Sequence, residues 1–224
     1  MREHNLRPNV GASKDLRRFY QLVQMEYLKH IVYINLDKRK DRCAQFESEL
    51  KRMGLHGVRF SAIETDPGVL GCCESHLSVL KYARLKGWPQ VCIFEDDFEF
   101  IVDKSTLYEK LGAFFDSEGR PFDVLMLSYN LLAGEPFDAV VGYARNAQSA
   151  SGYVVHSRFY DALIANLEYG LTQLRATGEH WNYTNDQVWK RLQSDSEWFY
   201  FRVRLGKQRA GYSDLAGHYV DYGV

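Results

Sequence analysis

The chain has 224 residues, of which 46% are hydrophobic and 25% charged, so it can bury one full core as a globular domain. Its 28 basic and 29 acidic residues leave a formal charge of −1, which gives no electrostatic footprint for nucleic acid or an anionic membrane surface. No span is apolar enough for a transmembrane helix or signal core, and the four cysteines have neither zinc spacing nor a disulfide framework, so the expectation is a soluble protein of a reducing, cytoplasmic setting.

Residues 1–29 read as an N-terminal extension, partly helical, ahead of a single domain over 30–224. The β-branched run IVYINL (31–36) predicts a buried strand. Cys43, Phe46, Leu50 and Met53 recur at threes and fours and predict a helix that Gly54 closes, with Glu47 and Lys51 paired on its surface. GVRFSAI (57–63) predicts a second strand. Ser75 reads as the N-cap of the next helix, whose stripe is Leu77, Leu80 and Ala83 and whose end is set by Gly87 and Pro89. VCIF (91–94), DVLMLS (123–128), GYVVH (152–156) and WFYFRV (198–203) predict further strands. Helices are expected over STLYEKLGAFF, from Ser157 to Leu167, and from Thr184 or Asn185 onward. This alternation predicts a Rossmann-type α/β/α sandwich with a mostly parallel central sheet, whose ligands collect at the carboxyl ends of the strands.

Glu95-Asp96-Asp97 stand where the strand 91–94 runs out. Adjacent carboxylates there either hold a hard divalent cation such as Mg²⁺ or Mn²⁺ or form a solvated acidic loop. Asn35 and Asp37 end the first strand, and Arg39 and Arg42 follow. Two forked guanidinium groups there either reach a diphosphate or are surface charges at a helix start. Ser75 and His76 at the start of a helix favour an anion, although a lone histidine is more often a packed or surface one. Gln148-Ser149-Ala150-Ser151-Gly152-Tyr153 either lines a sugar pocket, with Gly152 admitting close backbone approach, or simply turns into a strand.

Taken together these segments resemble glycosyltransferase family 25, which includes lipooligosaccharide and collagen galactosyltransferases. The matching pieces come in the family's order. They are VYINLDKRKDR (32–42), GCCESHLSVLKYA (71–83), IFEDDFEF (93–100), QSASGYVVHSRFYDALI (148–164), NDQVWKRL (185–192) and KQRAGYSDLAG (207–217). The resemblance covers roughly 31–217 and departs from the pattern at Cys72-Cys73-Glu74. It implies a GT-A-type fold, a UDP-hexose donor (galactose or glucose), Mn²⁺ or Mg²⁺, and transfer with inversion to a hydroxyl of a glycan, lipid-linked or protein acceptor. It places Asn35, Arg39, Arg42, Ser75, His76 and Asp96 at the donor nucleotide, and Asp97 and Glu95 at the metal. Gln148, Ser151, Gly152, Tyr153, Gln208, Ser213 and Asp214 fall to the sugar and acceptor. Asp186 falls on the late acidic position, as general base or as a mere helix cap, and His218 is either a further metal ligand from a closing loop or a surface histidine.

Two other readings are open. The chain could be a sugar-nucleotide-binding or partner-binding module without turnover. It could also be a phosphotransferase, which the absence of a D-x-D nucleophile or a Gly-rich phosphate loop disfavours.

Overall fold

The run Ile31–Asn35 forms strand β1, buried along its whole length because its two faces serve two separate cores. Ile31 and Tyr33 face one core, Val32 and Ile34 the other, as the two-residue period of a strand requires. The same division recurs in β3 (Gln90–Glu95), β5 (Val124–Met126) and β8 (Gly152–His156). The computed structural model describes residues 27–117 and 120–223, so the expected N-terminal extension lies almost entirely outside the described residues.

The central sheet has eight strands in the order β2-β1-β3-β8-β5-β9-β7-β6, with β2 at Gly57–Ser61, β6 at Asn130–Pro136, β7 at Val141–Gln148 and β9 at Trp198–Phe201. Strands β2, β1, β3, β5, β9 and β6 run one way and only β8 and β7 run against them, so the sheet is mixed but mostly of one direction. Helices α1 (Lys40–Met53) and α3 (Lys104–Phe115) cover one face, and α2 (Gly68–Leu85) and α4 (Tyr160–Thr177) the other. This is the expected α/β/α sandwich. None of the described helices is long and apolar enough to cross a membrane.

Helix α1 ends as its sequence dictates. Gly54 adopts φ +69° and returns its N–H to Leu50 O and Lys51 O. Three expectations change. Glu47, still exposed, accepts from the hydroxyl of the buried Tyr33 at 2.7 Å instead of pairing with Lys51. Helix α4 continues to Thr177 rather than stopping near Leu167, because Gly170 lets Val188 pack against its backbone and the left-handed Gly178 supplies the stop. The final helix is only the single turn Asn185–Val188, followed by a 3-10 turn over Trp189–Leu192. The hairpin β6–β7 has no counterpart in the sequence reading. Its outer strand is an exposed edge carrying Gly134 and Pro136, and such strands lack the apolar signal that marks a core strand.

Two small sheets complete the site. Strand β4 (Phe98–Phe100) pairs antiparallel with β10 (Gly206–Gln208), which sets Gln208 opposite Phe98. Strands β11 (Gly211–Ser213) and β12 (His218–Val220) form a hairpin. The Phe98 ring lies between two glycines: a Cβ would come within 2.5 Å of it from Gly152 and 2.0 Å from Gly206. That slot holds the chain immediately after Asp97.

Candidate active site

Strand β3 delivers Glu95, Asp96 and Asp97 to its carboxyl end, and each carboxylate is held differently. Asp96 is saturated. Asn35 Nδ2 donates to its Oδ2 at 2.6 Å and Arg42 Nη1 to its Oδ1 at 3.1 Å. Asn35 is itself fixed, donating to Arg39 O at 3.0 Å and accepting from Arg59 Nε at 2.8 Å. Asp97 is held by one oxygen only: Oδ2 accepts from Arg42 Nη1 at 3.2 Å and Gln208 Nε2 at 3.0 Å. Its Oδ1 is buried with no hydrogen-bond partner among the described residues. A buried carboxylate oxygen without a partner is costly, and a cation removes that cost. Burial, reinforced by the charge of Glu95, pushes the Asp97 carboxyl up to about 7. Burial also raises that of Asp96 above the usual carboxylate range, although Asn35 and Arg42 counteract it.

Glu95 Oε1 faces His76 Nε2 at 3.1 Å, and the other nitrogen of the fully buried His76 ring lies 2.9 Å from Tyr153 Oη. The tautomer with hydrogen on Nε2 donates to Glu95 and accepts from Tyr153. Helix α2 begins at Gly68, so Ser75 and His76 lie in its second and third turns rather than at its start. Ser75 is therefore not an N-cap. Its Oγ donates to Gly71 O at 2.6 Å and accepts from Ile63 N at 2.8 Å, tying α2 to the exit of β2. The helix begins at Gly68, directly after the extended Pro67 and well upstream of the serine.

A cleft opens over these groups in two adjoining lobes that share Cys72, Glu95, Gln208, Leu215 and Tyr222. The first lobe, about 360 Å³, is lined by Lys38, Arg42, Thr65, His76, Asp97 and Asp214 among others. The second, about 310 Å³, is lined by Gln148, Ser149, Asn185 and Asp186. Their size is that of small-molecule sites.

Asp186 does not cap its own helical turn. Its Oδ2 accepts from Ser149 N at 3.2 Å and its Oδ1 from Thr184 Oγ1 at 2.9 Å. Ser149 has φ +83°, a region few non-glycine residues enter, and the Asp186 contact holds it there. The segment bearing Asp186 is anchored from below. Trp189 Nε1 donates to Ala147 O at 3.0 Å, and the buried amide of Gln193 both donates to Ala147 O at 2.9 Å and accepts from Ala147 N at 2.8 Å. Gln193→Met keeps the volume but orphans the Ala147 N–H, so we expect a loss of about 1–3 kcal/mol. A calorimetric melting scan checks it: a midpoint unchanged within about 1 °C means water replaces the amide.

The remaining expected site residues divide. Gln148 lines the second lobe and accepts from Lys190 Nζ at 2.7 Å. Ser213 and Asp214 line the first lobe, but Asp214 is also the ion-pair partner of Arg39. Arg39 is thus turned to Asp214 and Asp41 and does not itself line either lobe. Arg42, by contrast, bridges Asp96 and Asp97 and donates to Tyr212 O at 2.7 Å. Ser151, Gly152 and Tyr153 sit beneath the cleft rather than on its wall. Ser151 Oγ pairs with Ser128 Oγ at 2.6 Å, the close approach that Gly152 permits is by Phe98, and Tyr153 supports His76. His218 is exposed on β12, hydrogen-bonded to Ala216 O at 2.8 Å, and outside both lobes. Lys38, Thr65, Cys72 and Tyr222 line the cleft without having been singled out. Lys38 sits inside the same INLDKR run as Arg39, stays half-exposed at the rim of the first lobe and pairs there with Glu64 at 2.5 Å.

No family model matches the chain, and no curated protein matches it. Among solved structures it is similar to a glycosyltransferase involved in the glycosylation of the major capsid of PBCV-1, with 9% identity, TM-score 0.43, and coverage of 78% of this chain and 92% of that one. It is also similar to the glycosyltransferase GlyE of Streptococcus pneumoniae TIGR4, with 12% identity and TM-score 0.39 over 84% of this chain and 42% of that one. A third is mannose-1-phosphate geranyltransferase from Thermus thermophilus, with 10% identity and TM-score 0.36 over 80% of this chain and 58% of that one. All three scores lie below 0.5, and the functional reading rests instead on the side chains of the cleft.

Proposed function

We propose that the chain is a GT-A-like glycosyltransferase, moving a hexose, galactose or glucose, from a UDP-sugar to an acceptor hydroxyl with inversion. The acceptor is a glycan, a lipid-linked sugar or a protein side chain. The observation that carries the reading is the orphaned, buried Oδ1 of Asp97 at a strand end, in one cleft with a second carboxylate, Asp186. An all-oxygen donor set fits Mn²⁺ or Mg²⁺, which Asp97 and Glu95 would hold. Bound there, the cation supplies positive charge to a leaving diphosphate. Asp96 remains with Asn35 and Arg42, so its part is to fix the guanidinium against the cleft. Arg42 and Lys38 bring cationic donors to the first lobe, where the nucleotide would lie. Asp186, in the second lobe, would accept the proton of the acceptor hydroxyl. Its Oδ1 accepts from Thr184 and Gln187, whereas Oδ2 accepts only from Ser149 N and keeps a further lone pair. Gln148 and Ser149 would orient the sugar there.

The test is a melting panel of UDP, UDP-galactose and UDP-glucose, each with Mn²⁺ and with chelator. A ligand at 100 times its Kd adds about 2.7 kcal/mol to stability, which is a readable rise. We expect a rise that needs Mn²⁺ and is largest for one UDP-sugar. No rise with any nucleotide overturns the proposal. A rise without sugar transfer to any acceptor supports the inactive binding module instead.

A further inference from the structure

The cleft carries a second constellation whose donor atoms differ from those of Asp97. Cys72 and His76 are four residues apart on α2, so they share one face of the helix, and that face meets Glu95 at the end of β3. The Cys72 sulfur lies 3.8 Å from Glu95 Oε1, and His76 Nε2 lies 3.1 Å from the same oxygen. One ligand atom from each of the three residues lies within 4.8 Å of the others. Ligand atoms at zinc bond lengths of about 2.0–2.3 Å in tetrahedral array stand roughly 3.3–3.7 Å apart. The three donors are therefore nearly spaced for such an ion before it arrives.

Their surroundings match as well. A metal-bound histidine needs its other nitrogen held, and Tyr153 Oη at 2.9 Å from Nδ1 does this. With the metal on Nε2, the ring hydrogen moves to Nδ1 and is donated to Tyr153 Oη, which accepts it. His76 is fully buried, whereas Cys72 and Glu95 line both lobes, so a fourth coordination position faces the cleft.

We propose that Cys72, His76 and Glu95 form a binding site for a borderline-soft divalent cation, zinc above all, which shares Glu95 with the all-oxygen site at Asp97 and draws its other donors from α2. Binding forms a metal–sulfur bond and releases the thiol proton of Cys72 to solvent. The site stands on these three side chains alone. Its consequence for turnover rests on the transferase reading: zinc takes Glu95 away from the hard cation, so micromolar zinc inhibits a Mn²⁺-dependent transfer.

Metal-free protein is titrated with Co²⁺ and then with Zn²⁺. The expected result is a sulfur-to-cobalt charge-transfer band in the near ultraviolet with intense visible bands of a tetrahedral centre, both bleached by one equivalent of zinc. Cys72→Ser abolishes the charge-transfer band and weakens zinc binding by more than ~100-fold, beyond the roughly 10–100-fold typical of an outer partner, which is the loss expected for Tyr153→Phe. Cys43→Ser and Asp97→Asn keep both the band and the zinc affinity. Persistence of the band in Cys72→Ser, its loss in Cys43→Ser, or no band in the wild-type protein at any excess of cobalt overturns the proposal. Because the cobalt spectrum needs no nucleotide, a failure of the transferase reading leaves this result standing, and the reverse holds too.

Discussion

Replacing Asp97 with Asn raises the melting midpoint of the metal-free protein at pH 8 and abolishes its response to Mn²⁺ and UDP together. The reason is the state of the wild-type carboxyl. It is pushed up to about 7 by burial and by Glu95, from an ordinary value of 3.8. The sign is the reverse of the usual acidic residue. A folded protein that holds its proton more tightly than the unfolded chain loses stability as pH rises from about 4 to about 7, and above 7 the full cost of a buried charge is present. Asparagine keeps a carbonyl to accept from Arg42 and Gln208 and carries no charge, so part of that cost is recovered. We expect on the order of 1–3 kcal/mol at pH 8, a rise of several °C. At pH 5 the difference shrinks, because the wild-type carboxyl is then protonated. A variant that melts lower than wild type at pH 8 without metal, and still answers Mn²⁺ with UDP, would make Asp97 a structural anchor and nothing more.

Asp186→Asn leaves Mn²⁺-dependent nucleotide binding within about twofold and lowers the transfer rate by roughly 10²–10⁴, the range for removal of a general base. The amide oxygen still accepts from Ser149 N, and the Thr184 hydroxyl can turn to accept from the amide nitrogen, so the left-handed Ser149 stays clamped. What is lost is the acceptor of a proton. Transfer rates measured under saturating donor, beside a melting curve with UDP, separate the two roles. A rate within about threefold of wild type would reduce Asp186 to the clamp between Ser149 and Thr184. Loss of nucleotide binding and rate together would assign it to the donor side.

The strands of the buried centre were legible because each is a run of β-branched or aromatic residues that must be apolar on both faces: Ile31–Asn35, Gln90–Glu95 and Gly152–His156 all lie where such runs stand. The acidic triplet was legible for the same reason, since three carboxylates directly after such a run have no place in a core. The edge hairpin β6–β7 was not, because half-exposed strands carry polar residues that mimic loops. Nor was the choice between neighbours. Arg39 and Arg42 are equivalent in a motif, yet Asp41 and Asp214 draw one away while Asp96 and Asp97 hold the other against the cleft. Ser75 has the composition of a cap, but the helix started seven residues earlier, and the serine became a strut between α2 and β2.

By itself, then, the order of residues determined the sandwich and the strand-end position of Glu95, Asp96 and Asp97. Those follow from local periodicity and from the cost of burying charge. Tertiary structure alone decided that Gln208, more than a hundred positions downstream, completes the cradle of Asp97, and that Asp186 reaches across to Ser149. It alone left one oxygen of Asp97 without a partner among the described residues. Such contacts depend on which segments the β4–β10 pairing and the packing of Trp189 bring together, and long-range register is not written in any local stretch of the chain.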